Sequence, residues 1–217
     1  METQIEILVD LSSSMEKPLY DGVDNEEPKI EITKNLLIEN LIPTLDFNSK
    51  ISLHTFNASA ECENANFHTI LDDEYTSKIE LTEKVNKIRK PSGWTPIAAA
   101  IDFAVERLKE KESFDKKIII LTDGEETCHG DYLESARQAT YSGVNCKIFI
   151  IGVGELTETA VNEFKEIADI TDGKFVNIGI EHQEEEEIEQ ELQNLFNAIS
   201  LDTIFNIIDS HYELDRT

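Results

Sequence analysis

The stretch Lys116-Lys117-Ile118-Ile119-Ile120-Leu121-Thr122-Asp123-Gly124 decides the fold. Its apolar residues do not alternate with polar ones. A continuous β-branched run of this kind suits a central parallel strand buried on both faces. Parallel strands need crossover connections, usually helices, and the flanking sequence supplies them. Upstream, Pro96 to Glu112 carries Ile97, Ile101, Ala104, Val105 and Leu108 on one helical stripe. Downstream, Asp131 to Ser142 reads as helix, Cys146 to Val153 as strand, Glu158 to Ile170 as helix, Lys174 to Ile178 as strand and Glu184 to Ile199 as a final helix.

The N-terminal half continues the alternation. Ile5 to Val9 is a short apolar run that ends at Asp10, and a polar stretch with Pro18, Gly22 and Pro28 follows as a loop. Ile30 to Leu45 is amphipathic, Lys50 to Phe56 is a second strand, and Asn57-Ala58-Ser59 turns it toward a hairpin partner at Cys62 to Leu71. Lys78 to Arg89 reads as a charged helix. These elements predict an α/β domain with a doubly wound, Rossmann-like sheet. The expected strand order is 3-2-1-4-5-6, mostly parallel with one antiparallel edge strand, with helices on both faces. The domain is expected over 1-199. Residues 200-217 form an extension in which Ile204, Phe205, Ile207 and Ile208 make either a docked helix or a partner-binding tail.

A chain of 217 residues holds one sizeable core. The formal net charge of -26 opposes binding to nucleic acid or anionic membranes and favours cations and basic surfaces. No apolar run approaches the roughly 20 residues needed to span a bilayer. Cys62, Cys128 and Cys146 are few, odd in number and without zinc-type spacing, so a reducing, cytoplasmic location is expected. Cys128 reads as a small packing residue. The five histidines show no ligand spacing. Gly152-Val153-Gly154 lacks the third glycine of a dinucleotide fingerprint and falls on the fifth strand rather than the first.

The chemistry lies in Asp10-Leu11-Ser12-Ser13-Ser14, directly after the first strand. Asp10, Ser12 and Ser14 alternate, so a tight loop turns three oxygen-bearing side chains toward one point. In open α/β sheets, ligands bind beyond the carboxyl ends of the strands where the strand order reverses. With the order 3-2-1-4-5-6, Asp10 and Asp123 end the two strands that flank that crevice, and Thr95, at the start of the third helix, reaches over it. Oxygen-only ligands favour a hard cation, and a hydroxyl-rich set with two carboxylates suits Mg²⁺, with Mn²⁺ or Ca²⁺ as alternatives.

Asp10-x-Ser12-x-Ser14, Thr95 and Thr122-Asp123-Gly124 together resemble the metal-ion-dependent adhesion site of the von Willebrand factor A family. The resemblance covers residues 4 to 199. It implies hydroxyl ligands from Ser12, Ser14 and Thr95, and direct or water-mediated binding by Asp10 and Asp123. It also implies a non-enzymatic protein-binding module whose metal accepts an Asp or Glu of a partner protein. Ser13 stands where many members have glycine, which is tolerated if its φ is negative.

Three competing readings accompany this one. Asp10, Ser12 and Ser14 also suit an ordinary turn, and Thr95-Pro96 also suits a helix N-cap followed by proline. An aspartate after the first strand is similar to haloacid-dehalogenase hydrolases and phosphotransferases, but their second aspartate is replaced here by Ser12. The third is a structural subunit with an empty metal site.

Overall fold

The computed structural model describes residues 3–19, 27–59, 62–113, 115–141, 143–179 and 185–214, with the backbone alone at 73–74, 185 and 201–214. Six strands form one sheet: β1 (Thr3–Asp10), β2 (Lys50–Ala58), β3 (Ala65–Glu74), β4 (Asp115–Thr122), β5 (Lys147–Val153) and β6 (Lys174–Ile178). The order is β3-β2-β1-β4-β5-β6. Only the β2–β3 pair is antiparallel, and it lies at the edge. The architecture is the one expected from the sequence.

The helices are α1, which starts at Lys29, then α2 (Lys78–Val85), α3 (Ile97–Lys109), α4 (Tyr132–Tyr141), α5 (Glu158–Ile170) and α6 (Glu185–Leu214). Within α1 the backbone is α-helical over Lys29–Leu36, widens to a π-turn over Leu37–Leu41 and returns to α over Ile42–Thr44. Pro43 lies just past the π-turn, and its missing N–H breaks the regular ladder there. Helix α6 runs unbroken past the boundary expected at 199. The apolar side chains expected at 204–208 lie outside the described residues.

The central run divides between two cores, as a strand buried on both sides must. Ile119 and Leu121 pack with Ile7, Val9 and Phe149 under α1, α2 and α6. Ile118 and Ile120 pack with Leu8, Ile148 and Ile150 under α3, α4 and α5. All eight residues of β1 and of β4 are buried. The paired register sets Val9 opposite Leu121, which brings Asp10 level with Thr122 and Asp123 one residue beyond. The strand order reverses between these two strands, so the crevice opens over Asp10 and Asp123.

Two buried ionic groups run through this framework. Lys117 on β4 reaches Asp115 at 3.0 Å and donates to the Ile199 carbonyl at 2.8 Å, tying α6 to the sheet. On the other side, the fully buried Glu6 carboxylate accepts from Ser52 Oγ at 3.1 Å and Arg107 Nε at 2.9 Å, and pairs with His54 Nε2 at 2.8 Å. This group joins β1, β2 and α3, and nothing local in the chain signals it, because Glu6 lies 46 or more residues from each of these partners. Breaking a buried ionic group strands its remaining charges. Glu6→Ala is therefore expected to lower the unfolding free energy in urea by about 3 kcal/mol or more. Lys109→Ala removes only an exposed pair with Glu106 and is expected to change it by less than about 0.5 kcal/mol. Equal effects would remove the buried group from the account of the fold.

Candidate metal centre

The loop after β1 is a short 3₁₀ turn, Ser13–Glu16. Asp10 Oδ1 accepts the Ser12 amide at 2.7 Å, and its Oδ2 accepts the Thr122 hydroxyl at 2.7 Å. The first bond is the turn expected from local chemistry, and the second ties the β1 end to the β4 end. Ser14 Oγ donates to Asp123 Oδ1 at 2.8 Å. Its one proton is then committed, so the 3.0 Å contact between Ser12 Oγ and Ser14 Oγ is donated by Ser12. Ser13 donates its amide to the Gly93 carbonyl at 3.0 Å and is not among the residues with positive φ, so the serine in place of glycine fits without strain.

Thr95 is almost fully buried and lines the same cleft of about 390 Å³ as Ser14 and Asp123. Its loop is set by Gly93, at φ +85°, where a Cβ would stand 2.1 Å from the Ala58 carbonyl oxygen. Helix α3 starts at Ile97 with Pro96 as its cap position, so Thr95 is not the N-cap. That duty passes to Glu126, which accepts the Ala98 amide at 2.8 Å. Thr127 completes the brace, accepting the Thr95 amide at 2.8 Å through its hydroxyl and donating its own amide to the Thr95 carbonyl at 3.0 Å. The structure thus gathers Asp10, Ser12, Ser14, Thr95 and Asp123 at one end of the sheet.

The donor set tests whether a cation fits. Among the described residues, no group of three or more His, Cys, Asp or Glu side chains is placed to hold a metal. The cluster instead combines two buried carboxylates with three hydroxyls, an all-oxygen set suited to a hard ion. Burial, followed by the nearby Asp123 charge, pushes the Asp10 carboxyl up to about 7, against weaker opposing hydrogen bonds from Thr122 and Ser12. Two carboxylates driven out of water beside each other favour a cation between them. The residues fit the group.

Two features beside the cluster were not read from the sequence. Lys29, the first residue of α1, places its ammonium 2.9 Å from Asp123 Oδ2. A lysine in the first turn of a helix opposes the macrodipole, and that anomaly was the only local clue. The second feature is a disulfide between Cys62 and Cys128, 66 residues apart. It corrects the expectation that Cys128 is a packing residue. It ties the β2–β3 connection to the loop that carries Asp123 and Glu126. Cys146 remains a free thiol, and burial pushes its pKa up to about 12, which leaves it unreactive.

This mostly parallel, doubly wound sheet, with an oxygen cluster at its switch point, defines a Rossmann-like α/β domain. The von Willebrand factor type A domain model matches residues 5–196, and the chain belongs to that family. The uncharacterized protein YwmD of Bacillus subtilis (strain 168) is 34% identical over 108 residues, 48% of this chain and 46% of its own length. YwmC of the same organism is 25% identical over 180 residues, 79% of this chain and 74% of its own. The chain thus spans about half of the first relative. The manganese-loaded TRAP protein of Plasmodium vivax shares the fold at a TM-score of 0.58 and 20% identity, over 77% of this chain and 63% of that one.

The disulfide makes a simple count testable. Unreduced protein opened in denaturant is expected to react with one equivalent of thiol reagent, at Cys146, and reduced protein with three. Three equivalents without reductant would show that Cys62 and Cys128 do not bond. Loop-closure entropy for a bridge of this span gives an expected loss of up to about 4 kcal/mol of stability on reduction.

Proposed function

We propose that this domain is a metal-dependent protein-binding module rather than an enzyme. The observation that carries the reading is the contact of Ser12, Ser14 and Asp123 through 3.0 and 2.8 Å hydrogen bonds, with Asp10 beneath and Thr95 on the same cleft. Ser12, Ser14 and Thr95 would offer neutral hydroxyls to Mg²⁺, and Asp10 and Asp123 would offer charge, directly or through water. Held there, Mg²⁺ would supply an incompletely neutralised Lewis-acidic position for a carboxylate of a partner protein. That carboxylate would be an Asp or Glu side chain entering through the cleft. The manganese-loaded state of the TRAP protein supports a divalent ion in this fold.

The chain's own residues do the positioning. Thr122 fixes the Asp10 carboxylate by its hydrogen bond, and the Glu126–Thr127 brace fixes the loop that presents Thr95. Against hydrolase chemistry stands the make-up of the cleft. Among the described residues, no histidine or cysteine lines it, and Ser12 occupies the position of a general acid. No described helix is long and apolar enough to cross a membrane. The disulfide favours an oxidising compartment over the cytoplasmic one expected from cysteine spacing alone.

Mg²⁺ or Mn²⁺ is expected to raise the melting temperature, because a ligand that binds only the folded state stabilises it. The Ser12→Ala/Ser14→Ala protein is expected to keep the fold and lose the shift. An equal shift in both would place the metal elsewhere.

The pH dependence has a definite sign. Asp10 titrates near 7 in the cation-free fold, above its ordinary value of 3.8. Its charge therefore opposes folding as pH rises from about 4 to 7, and a cation must displace its proton below 7. Calorimetry is expected to show metal affinity rising up to about pH 7 and levelling above it, with proton release at pH 6 and none at pH 8. A flat profile would remove Asp10 from the site.

A further inference from the structure

Lys29 is the residue that neither the turn nor the ligand set requires. Its ammonium is 2.9 Å from Asp123 Oδ2, while the hydroxyl cluster meets the opposite oxygen, Oδ1, through Ser14. The lysine and the serine therefore share one carboxylate, each on its own oxygen. Its side chain is mostly buried, and the Asp123 side chain is fully buried. Gly154, at φ +103°, makes room for it, since a Cβ there would stand 3.0 Å from Lys29 Cε. Its backbone is fixed as well. The Lys29 amide donates to the Lys17 carbonyl at 2.9 Å, and an isolated bridge joins Pro18 and Pro28 beside it. The neck of the insertion after β1 thus delivers Lys29 to the cleft that Ser14, Thr95 and Asp123 also line.

The charges give this placement a consequence. Asp10 and Asp123 alone would neutralise a divalent ion completely. With Lys29 beside them, the loaded centre keeps one positive charge, in a cleft that Lys17, Glu125 and Glu155 also line. A nearby ammonium disfavours the metal by itself and favours an anion that joins it. We infer that Lys29 makes metal and carboxylate bind cooperatively, weakening metal binding alone and taking the second oxygen of the partner's carboxylate. This rests on the metal-dependent binding proposed above. Lys29 is then a specificity-determining residue that commits the site to anionic side chains over neutral ones.

The test compares the parent with Lys29→Met, Lys29→Gln and Lys29→Arg. Mn²⁺ affinity is measured by calorimetry. Acetate is then titrated into the Mn²⁺-loaded protein, followed by water-proton relaxation, which falls as acetate replaces bound water. Without the ammonium, Mn²⁺ affinity is expected to rise about tenfold and acetate affinity to fall about five- to tenfold. Lys29→Arg is expected to stay near the parent on both, and Lys29→Gln gives the same reading as Lys29→Met should the latter fold poorly. The opposite signs distinguish this from a prop, because a lysine that only holds Asp123 in place would lower both affinities when removed. Affinities that fall together, or that do not change, overturn the inference while leaving the metal site standing. A parent that takes up no Mn²⁺ overturns the site itself.

Discussion

Everything about this site follows from two carboxylates held beside each other out of water. The register of β1 against β4 leaves Asp10 and Asp123 at the ends of neighbouring strands, where the sheet changes winding direction. Repulsion between buried like charges would destabilise the fold unless something positive or proton-donating met them. The structure supplies several such groups: the hydroxyls of Thr122 and Ser14, the Ser12 amide and the Lys29 ammonium. Lys29 meets Asp123 at one oxygen and Ser14 at the other. The proposed cation would join these carboxylates where the Ser12 and Ser14 oxygens gather.

The rest of the framework holds that arrangement rigid. Two apolar cores clamp β1 and β4 from both faces, so the strand ends have little freedom to part. The loop beyond β4 is held three ways: by Glu126 on the α3 amide, by Thr127 on Thr95 and by the disulfide to Cys62. Such bracing suits a site whose ligands must be preorganised, because ordering them at the moment of binding would cost affinity.

Much of this was legible in the chain. The unbroken run Ile118 to Leu121 announced a doubly buried strand, and the structure divides its side chains between two cores. Asp10-x-Ser12-x-Ser14 announced a turn with convergent oxygens, because that chemistry is local. What escaped reading is what depends on long-range pairing. Cys62 and Cys128 have no diagnostic spacing, and only the fold brings them together. Thr95-Pro96 looked like a cap because the pattern is sound locally, yet a carboxylate from a loop 28 residues away does the capping. Glu6, His54 and Arg107 lie in three separate elements, and they meet only across the sheet.

The central claim is that the oxygen cluster at the switch point is a cation site, and diffraction from Mn²⁺-soaked crystals tests it most directly. Anomalous scattering is expected to show one peak in direct contact with the Ser12 and Ser14 hydroxyl oxygens, with Lys29 still beside Asp123. A peak that appears only among the glutamates of α6, or an empty cluster at saturating Mn²⁺, would contradict the account.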